Sequence, residues 1–184
     1  MDTRTPTIRI AKPSDAPELL AIYAPYVTGT TVTFEYDVPT VQEFAGRVSR
    51  TLERYPYLVA ELDGQIVGYA YAGAFRSRVA YIWSAEVSVY VRDGFHRLGI
   101  GRMLYSELEV LLRRQNIASM QACISHPNRE SIKFHSSLDF ERVARFSECA
   151  FKLGRWVDVV WMQKILHESN DSPAPFIPFP ELIK

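Results

Sequence analysis

The run Tyr90-Val91-Arg92-Asp93-Gly94-Phe95-His96-Arg97-Leu98-Gly99-Ile100-Gly101-Arg102 carries the sharpest chemical signal in the sequence. A β-rich stretch ends, a loop with basic residues follows, and two glycines open an amphipathic segment. The first amides of a helix have no intrahelical acceptor, and the helix adds a positive field there. Glycine lets that backbone come close to a ligand. The chemistry this suits is the holding of a diphosphate, stabilised by about 0.3–1 kcal/mol per charge from the dipole. Arg97 and Arg102 can add to the field. The run lacks the Gly-Lys-Ser/Thr ending of a nucleoside-triphosphate loop and the third glycine of a dinucleotide turn.

Glu86 lies a few residues upstream. Ala85, Val87, Val89 and Val91 alternate with Ser84, Glu86, Ser88 and Tyr90, so Glu86 shares one strand face with Ser88 and Tyr90. A carboxylate in mid-strand is costly unless it is solvated, paired or functional. It reads either as a general base or as the ion-pair partner of Arg76 or Arg78. Those two arginines follow an apolar strand and could grip an anion bidentately. His135 has an ordinary pKa near 6.5 and reads as a proton donor or as a helix-surface histidine. Asn128 opens the segment that holds His135, as an N-cap. His126, Cys123 and His135 match no zinc-ligand spacing. No serine sits in a Gly-x-Ser-x-Gly elbow.

The elements that must position these groups are legible. Strands are predicted over 7–11, 30–34, 57–62, 65–75, 81–91, 119–125, 140–150 and 157–165. Helices are predicted after Ser14 and Asp15, after the capping box Thr40-Val41-Gln42-Glu43, over 99–115 and over 128–138. Asp63-Gly64 is a hairpin signal. The pattern is α+β: a central mixed, mostly antiparallel sheet with helices on both faces. One domain is expected over 1–167. A proline-rich tail over 168–184 is expected to be either mobile or packed through Phe176, Ile177 and Phe179.

The 184 residues carry 21 Lys plus Arg against 21 Asp plus Glu, so a dedicated nucleic-acid binder is disfavoured. No apolar run reaches transmembrane length, and residues 1–7 lack the apolar stretch of a signal peptide. Two isolated cysteines fit a reducing cytoplasm.

His96-Arg97-Leu98-Gly99-Ile100-Gly101 resembles the acetyl-CoA diphosphate loop of the GNAT N-acetyltransferases, Gln/Arg-x-x-Gly-x-Gly/Ala, with His96 where Gln or Arg is usual. The stretch from Asn128 to Phe140 resembles that family's second signature, Asn-x-x-Ala/Ser-x-x-x-Tyr/His followed by Leu-Gly-Phe, with Asp139 in place of the glycine. Four further segments are similar to the phosphinothricin acetyltransferase group. They are Ala21-Ile22-Tyr23 with Thr30-Thr31, Phe75 to Tyr81, Glu86 to Val91, and Lys152-Leu153-Gly154-Arg155-Trp156-Val157-Asp158-Val159.

The resemblance spans about residues 7–166 and implies transfer of acetyl from acetyl-CoA to the primary amine of a small amino-acid-like substrate, of the phosphinothricin or methionine sulfone/sulfoximine type. It implies direct transfer in a ternary complex, with no metal, and a homodimer. Glu86 is then the general base and His135 the acid for the leaving thiol. Val89, Tyr90, Val91, His96, Arg97, Leu98, Gly99, Ile100, Gly101, Arg102, Asn128 and Ser131 hold the cofactor. Phe34, Arg76, Arg78, Lys152 and Trp156, with Tyr36, line the acceptor pocket. The alternatives are acetylation of a protein N-terminus or antibiotic amine, and a non-catalytic acyl-CoA-binding module.

Overall fold

The computed structural model describes residues 5–166 and 172–183. Seven strands form one sheet: β1 (Thr7–Ile10), β2 (Tyr57–Leu62), β3 (Gln65–Ala74), β4 (Ser84–Val91), β5 (Ser119–His126), β6 (Glu141–Lys152) and β7 (Arg155–Ile165). Their spatial order is β1-β2-β3-β4-β5-β7-β6, and β4–β5 is the parallel pair. The helices are α1 (Ala16–Gly29), α2 (Val41–Leu52), α3 (Ile100–Arg114), α4 (Arg129–Ser136) and the short α5 (Phe179–Leu182).

Strand alternation sorts the core onto two faces. Ala85 and Val87 of β4, with Met120, Ala122 and Ile124 of β5, pack under Leu104, Leu108 and Leu112 of α3. Tyr57, Tyr69 and Tyr90 face the other way, under Leu19, Ile22, Phe44 and Val48 of α1 and α2. The α2 box forms as the sequence predicts: the Glu43 N–H donates to Thr40 Oγ1 at 3.2 Å, and the Thr40 N–H donates to Glu43 Oε2 at 2.7 Å. Asp139 takes the left-handed conformation (φ 67°) after α4, as a glycine would.

Two expectations need correction. Residues 30–34 form bends and not a strand: the Val32 N–H is taken locally by Thr30 Oγ1 at 3.1 Å, and the Thr33 carbonyl accepts from the Lys152 side chain rather than from a strand. The strand over 81–91 starts at Ser84, because residues 79–81 close a 3-10 turn through the Ile82 N–H to the Val79 carbonyl.

The tail is tied to the body from Ala174 onward. Trp83 Nε1 donates to the Ala174 carbonyl at 2.8 Å, Asn116 Nδ2 to that of Pro175 at 2.7 Å, and Gln115 exchanges backbone and side-chain bonds with Ile177. Phe176 packs against Tyr55 with the rings tilted by 50°, and Phe179 is buried. The expected boundary at 167/168 lies outside the described residues.

Candidate active site

β4 pairs with β3 along its whole length, from Ala74↔Ala85 to Gly68↔Val91. It pairs with β5 only over Ser84–Glu86, although β5 continues to His126 beside β7. The two central strands therefore part at Glu86. The Ser84 carbonyl accepts from the Phe75 N–H, and the Arg92 N–H donates to the Val67 carbonyl. Even-numbered residues of β4 thus turn their amide groups toward β3, and odd ones turn theirs toward the gap. The Val91 carbonyl is taken by Tyr26 Oη at 2.7 Å. Val89 keeps both its N–H and its C=O facing the gap. An open strand edge of this kind offers main-chain hydrogen bonds to an extended, amide-bearing ligand.

The gap leads to the glycine turn. Arg97 (φ 64°) and Gly99 (φ 80°) curl the backbone, and the Met103 N–H is the first in α3 to find an acceptor, the Gly99 carbonyl at 3.0 Å. The amides of Leu98, Gly99, Ile100, Gly101 and Arg102 have no acceptor among the described residues. They converge at the positive pole of α3, a concavity suited to an anion. Gly101 is closely packed: a Cβ there would sit 3.3 Å from two ring carbons of Phe134, which would have to give by a few tenths of an ångström.

The side chains of this turn do less than the sequence suggests. Arg97 pairs with Glu130 at 2.9 Å, and Arg102 donates to the carbonyl and hydroxyl of Ser137 at 3.0 and 2.9 Å, so both guanidiniums brace α4. His96 Nε2 lies 3.1 Å from Tyr26 Oη. The Tyr90 ring packs against Tyr23, Tyr26 and Tyr69, away from the turn.

Glu86 is half-buried, on the α1/α2 face, directly opposite Gly73 of β3 and Gln121 of β5. Burial raises its carboxyl above the usual range, and the charge of Arg76 pulls the other way. No cation stands within 4.0 Å of it among the described residues, so the ion-pair alternative is not realised. Arg76 is exposed, with its guanidinium 4.3 Å from the Phe75 ring centroid and 5.5 Å from that of Trp161. Arg78 is exposed and without a partner among the described residues.

Other predicted residues lie elsewhere. Lys152 is buried and its Nζ donates to the Thr33 carbonyl at 2.6 Å; Tyr36 Oη donates to the Phe151 carbonyl. These bonds clamp the α1–α2 loop, which carries half-buried Phe34, onto the β6–β7 hairpin. Lys152 thus ties the hairpin to the loop that carries Phe34. Trp156 is 60% exposed and packs edge-on against Phe151.

His135 is 4% exposed. Its Nδ1 lies 2.8 Å from the Ser131 carbonyl, which can only accept, so Nδ1 carries the proton. Nε2 is left as acceptor for Tyr105 Oη at 3.3 Å. Burial pushes the imidazole pKa down, disfavouring the charged ring, and the hydrogen bond to Ser131 pulls the other way. A departing pantetheine thiol needs little acid near neutral pH, since thiols of this kind have pKa near 8.5. The lowered pKa means that stability from the neutral ring is complete above the unfolded pKa of about 6.5 and is lost as pH falls through the folded value. His135→Phe should flatten the acid limb of a Tm-against-pH curve between pH 7 and 5. Asn128 caps α4 by accepting the Ser131 N–H at 3.0 Å.

Sequence reasoning missed Tyr26, Gly73 and the tyrosine layer of β2 and β3. The every-second-residue tyrosines at 69 and 71 were the available signal.

A split between parallel strands that ends at a helix-opening turn of free amides can hold an extended, amide-bearing ligand with a diphosphate at one end. The chain matches the acetyltransferase (GNAT) domain family over residues 8–161 and belongs to it. It is 34% identical over 95% of its length to a phosphinothricin N-acetyltransferase of Streptomyces viridochromogenes, covering 93% of that protein. It is 36% identical over 88% of its length to an L-methionine sulfoximine/L-methionine sulfone acetyltransferase of Salmonella typhimurium, covering 95% of that protein. Its fold superposes with a TM-score of 0.90 on a GNAT superfamily phosphinothricin acetyltransferase from Sinorhizobium meliloti solved with acetyl-CoA, at 35% identity, covering 96% of this chain and 97% of that one. The protein is an acetyl-CoA-dependent N-acetyltransferase. No helix among the described residues is long and apolar enough to cross a membrane.

Proposed function

We propose that the protein acetylates the primary amine of a small amino-acid-like substrate, of the phosphinothricin or methionine sulfone class, by direct attack on bound acetyl-CoA. The observation that carries this reading is the parting of β4 and β5 at Glu86, which brings a half-buried carboxylate to the edge of a thioester cleft. The turn amides of residues 98–102 hold the diphosphate. The Val89 amide group pairs with the pantetheine arm and donates to the acetyl carbonyl, where negative charge develops.

The acceptor amine is protonated at neutral pH, with an α-amine pKa near 7.7–8.0. Glu86 takes its proton, directly or through one water, and its raised pKa narrows the gap between base and amine. The amine nitrogen then bonds to the carbonyl carbon, the C–S bond breaks, and the pantetheine sulfur leaves with the electron pair and is reprotonated from water. Arg76 binds the acceptor's carboxylate near Glu86. The pH profile of kcat/KM should rise from acid and level off as carboxyl and amine lose their protons.

The route is direct because the thiol beside the cleft is a poor nucleophile. Cys123 lies on the Glu86 face of β5, and burial together with the Glu86 charge pushes its pKa up to about 12. A thiol so protonated cannot carry the acetyl group as an intermediate at neutral pH. Cys123→Ala should keep kcat within about threefold, the scale of a surface-adjacent repacking below 1 kcal/mol. A thousandfold loss would point to an acetyl-cysteine route.

The protein acts in the cytoplasm, where its free cysteines stay reduced. It acts as a homodimer through the free edge of β6, an edge strand that exposes Val143, Phe146 and Phe151. Light scattering should give twice the chain mass for the wild type and a monomer for Phe146→Glu; a monomeric wild type contradicts this.

The deciding assay measures thiol release from acetyl-CoA with phosphinothricin, methionine sulfone and an alanine-ended peptide. Turnover confined to the free amino-acid analogues supports the reading. Turnover confined to the peptide, or none at all, overturns it.

A further inference from the structure

Trp161 of β7 takes no part in the proposed chemistry, yet its ring lies beside Arg76. Strand pairing sets it there. Glu86 stands opposite Gln121, Cys123 follows two places along β5 on the same face, and Trp161 is the β7 partner of Cys123. Gly73 is the β3 partner of Glu86, and Phe75 follows it by the same two places. The Phe75 N–H still donates to the Ser84 carbonyl, so the alternation reaches Phe75. These side chains share one face of the sheet. Val160 and Met162, on either side of Trp161, belong to the α3-side core, and neither core includes Trp161 itself.

The Trp161 and Phe75 rings meet edge-on, with centroids 5.4 Å apart and planes at 76°, as two walls of a corner. The Arg76 guanidinium sits in that corner, 4.3 Å from the Phe75 centroid and 5.5 Å from that of Trp161. Its one hydrogen bond among the described residues is local, from Nη1 to the Phe75 carbonyl at 2.9 Å. A guanidinium has five N–H groups, so most of its donors stay open to an anion. The two rings hold it through cation–π attraction, for which tryptophan has the best face. The charge of Arg76 is felt at both Glu86 and Cys123, where it opposes the upward pKa shift caused by burial.

We propose that Trp161 is a positioning residue, which holds the Arg76 guanidinium over the Phe75 ring so that its free N–H groups meet the carboxylate of the acceptor. The inference deepens the proposed function and rests on its assignment of Arg76. An arginine on an exposed loop otherwise spreads over many rotamers, and fixing it on binding costs affinity. The two-ring corner removes that cost in advance. Trp161 therefore acts on acceptor affinity and not on the chemical step. Uniform binding of this kind appears in KM and leaves kcat unchanged.

The test is a double-mutant cycle read with methionine sulfone as acceptor. Trp161→Leu should raise the acceptor KM about two- to fivefold, the scale of one exposed cation–π contact. Its kcat and its KM for acetyl-CoA should stay at the wild-type values, and Trp161→Phe should restore most of the loss. Arg76→Ala should raise the acceptor KM about 10- to 100-fold, the scale of hydrogen bonds between charged groups. Adding Trp161→Leu to Arg76→Ala should change nothing further. Trp161 lies outside both cores, so its variants fold; Phe75→Leu, which removes the other wall, carries the same prediction should Trp161→Leu fail. No turnover by the wild type, or an unchanged KM in Arg76→Ala, would overturn the parent reading's assignment and this inference with it. A wild-type KM in Trp161→Leu, a loss in kcat instead, or a rise in KM that persists in the Arg76→Ala background would overturn the positioning role alone.

Discussion

Glu86→Gln should lower kcat by about 100- to 10,000-fold, the usual contribution of a positioned general base, while acetyl-CoA binding stays unchanged. The amide fills the same space opposite Gly73 but takes no proton. The stability effect should run the other way. Burial raises the folded-state pKa of Glu86, so its favourable contribution is present below the unfolded value and is lost as pH rises through the folded one. At neutral pH the charged carboxylate therefore weighs against folding, and glutamine relieves it. Kinetics with calorimetry at pH 7.5 should show activity falling while Tm holds or rises. A drop in both would mean that Glu86 serves the fold.

Gly101→Val should raise the Kd for CoA by about 10- to 100-fold, the scale of one or two lost hydrogen bonds to a charged group. Any Cβ at this position already presses on Phe134 at 3.3 Å, and the γ-methyls of valine must displace that ring or tilt the first turn of α3. Either movement takes the free amides out of convergence. Arg97→Ala and Arg102→Ala should cost far less, because their guanidiniums are engaged with Glu130 and Ser137. Isothermal titration with CoA separates the cases. Equal losses at Gly101 and at the two arginines would show that side-chain charge, not backbone, holds the diphosphate.

The two glycine-bounded features, the Asp63-Gly64 hairpin and the turn before α3, were legible because their local chemistry is self-sufficient. The same holds for the Thr40 box, closed within four residues. Glu86 could be singled out because a carboxylate among alternating valines breaks an apolar pattern. What the sequence could not supply was long-range. His135 reads as a titrating group until Ser131 and Tyr105 are seen on its two nitrogens. Lys152 reads as a free cation until its ammonium is found on Thr33, 119 positions away. The parting of β4 from β5 is invisible in either strand, since both remain well paired on their other edges. Gly73 matters only because β3 places it against Glu86.

The most direct measurement is a crystal structure of the protein with acetyl-CoA. The account predicts the diphosphate on the amides of residues 98–102, the pantetheine arm between β4 and β5, and the acetyl carbon beside Val89 within one water of Glu86. A carrier bound elsewhere, or a gap closed by β4–β5 pairing beyond Glu86, would contradict it.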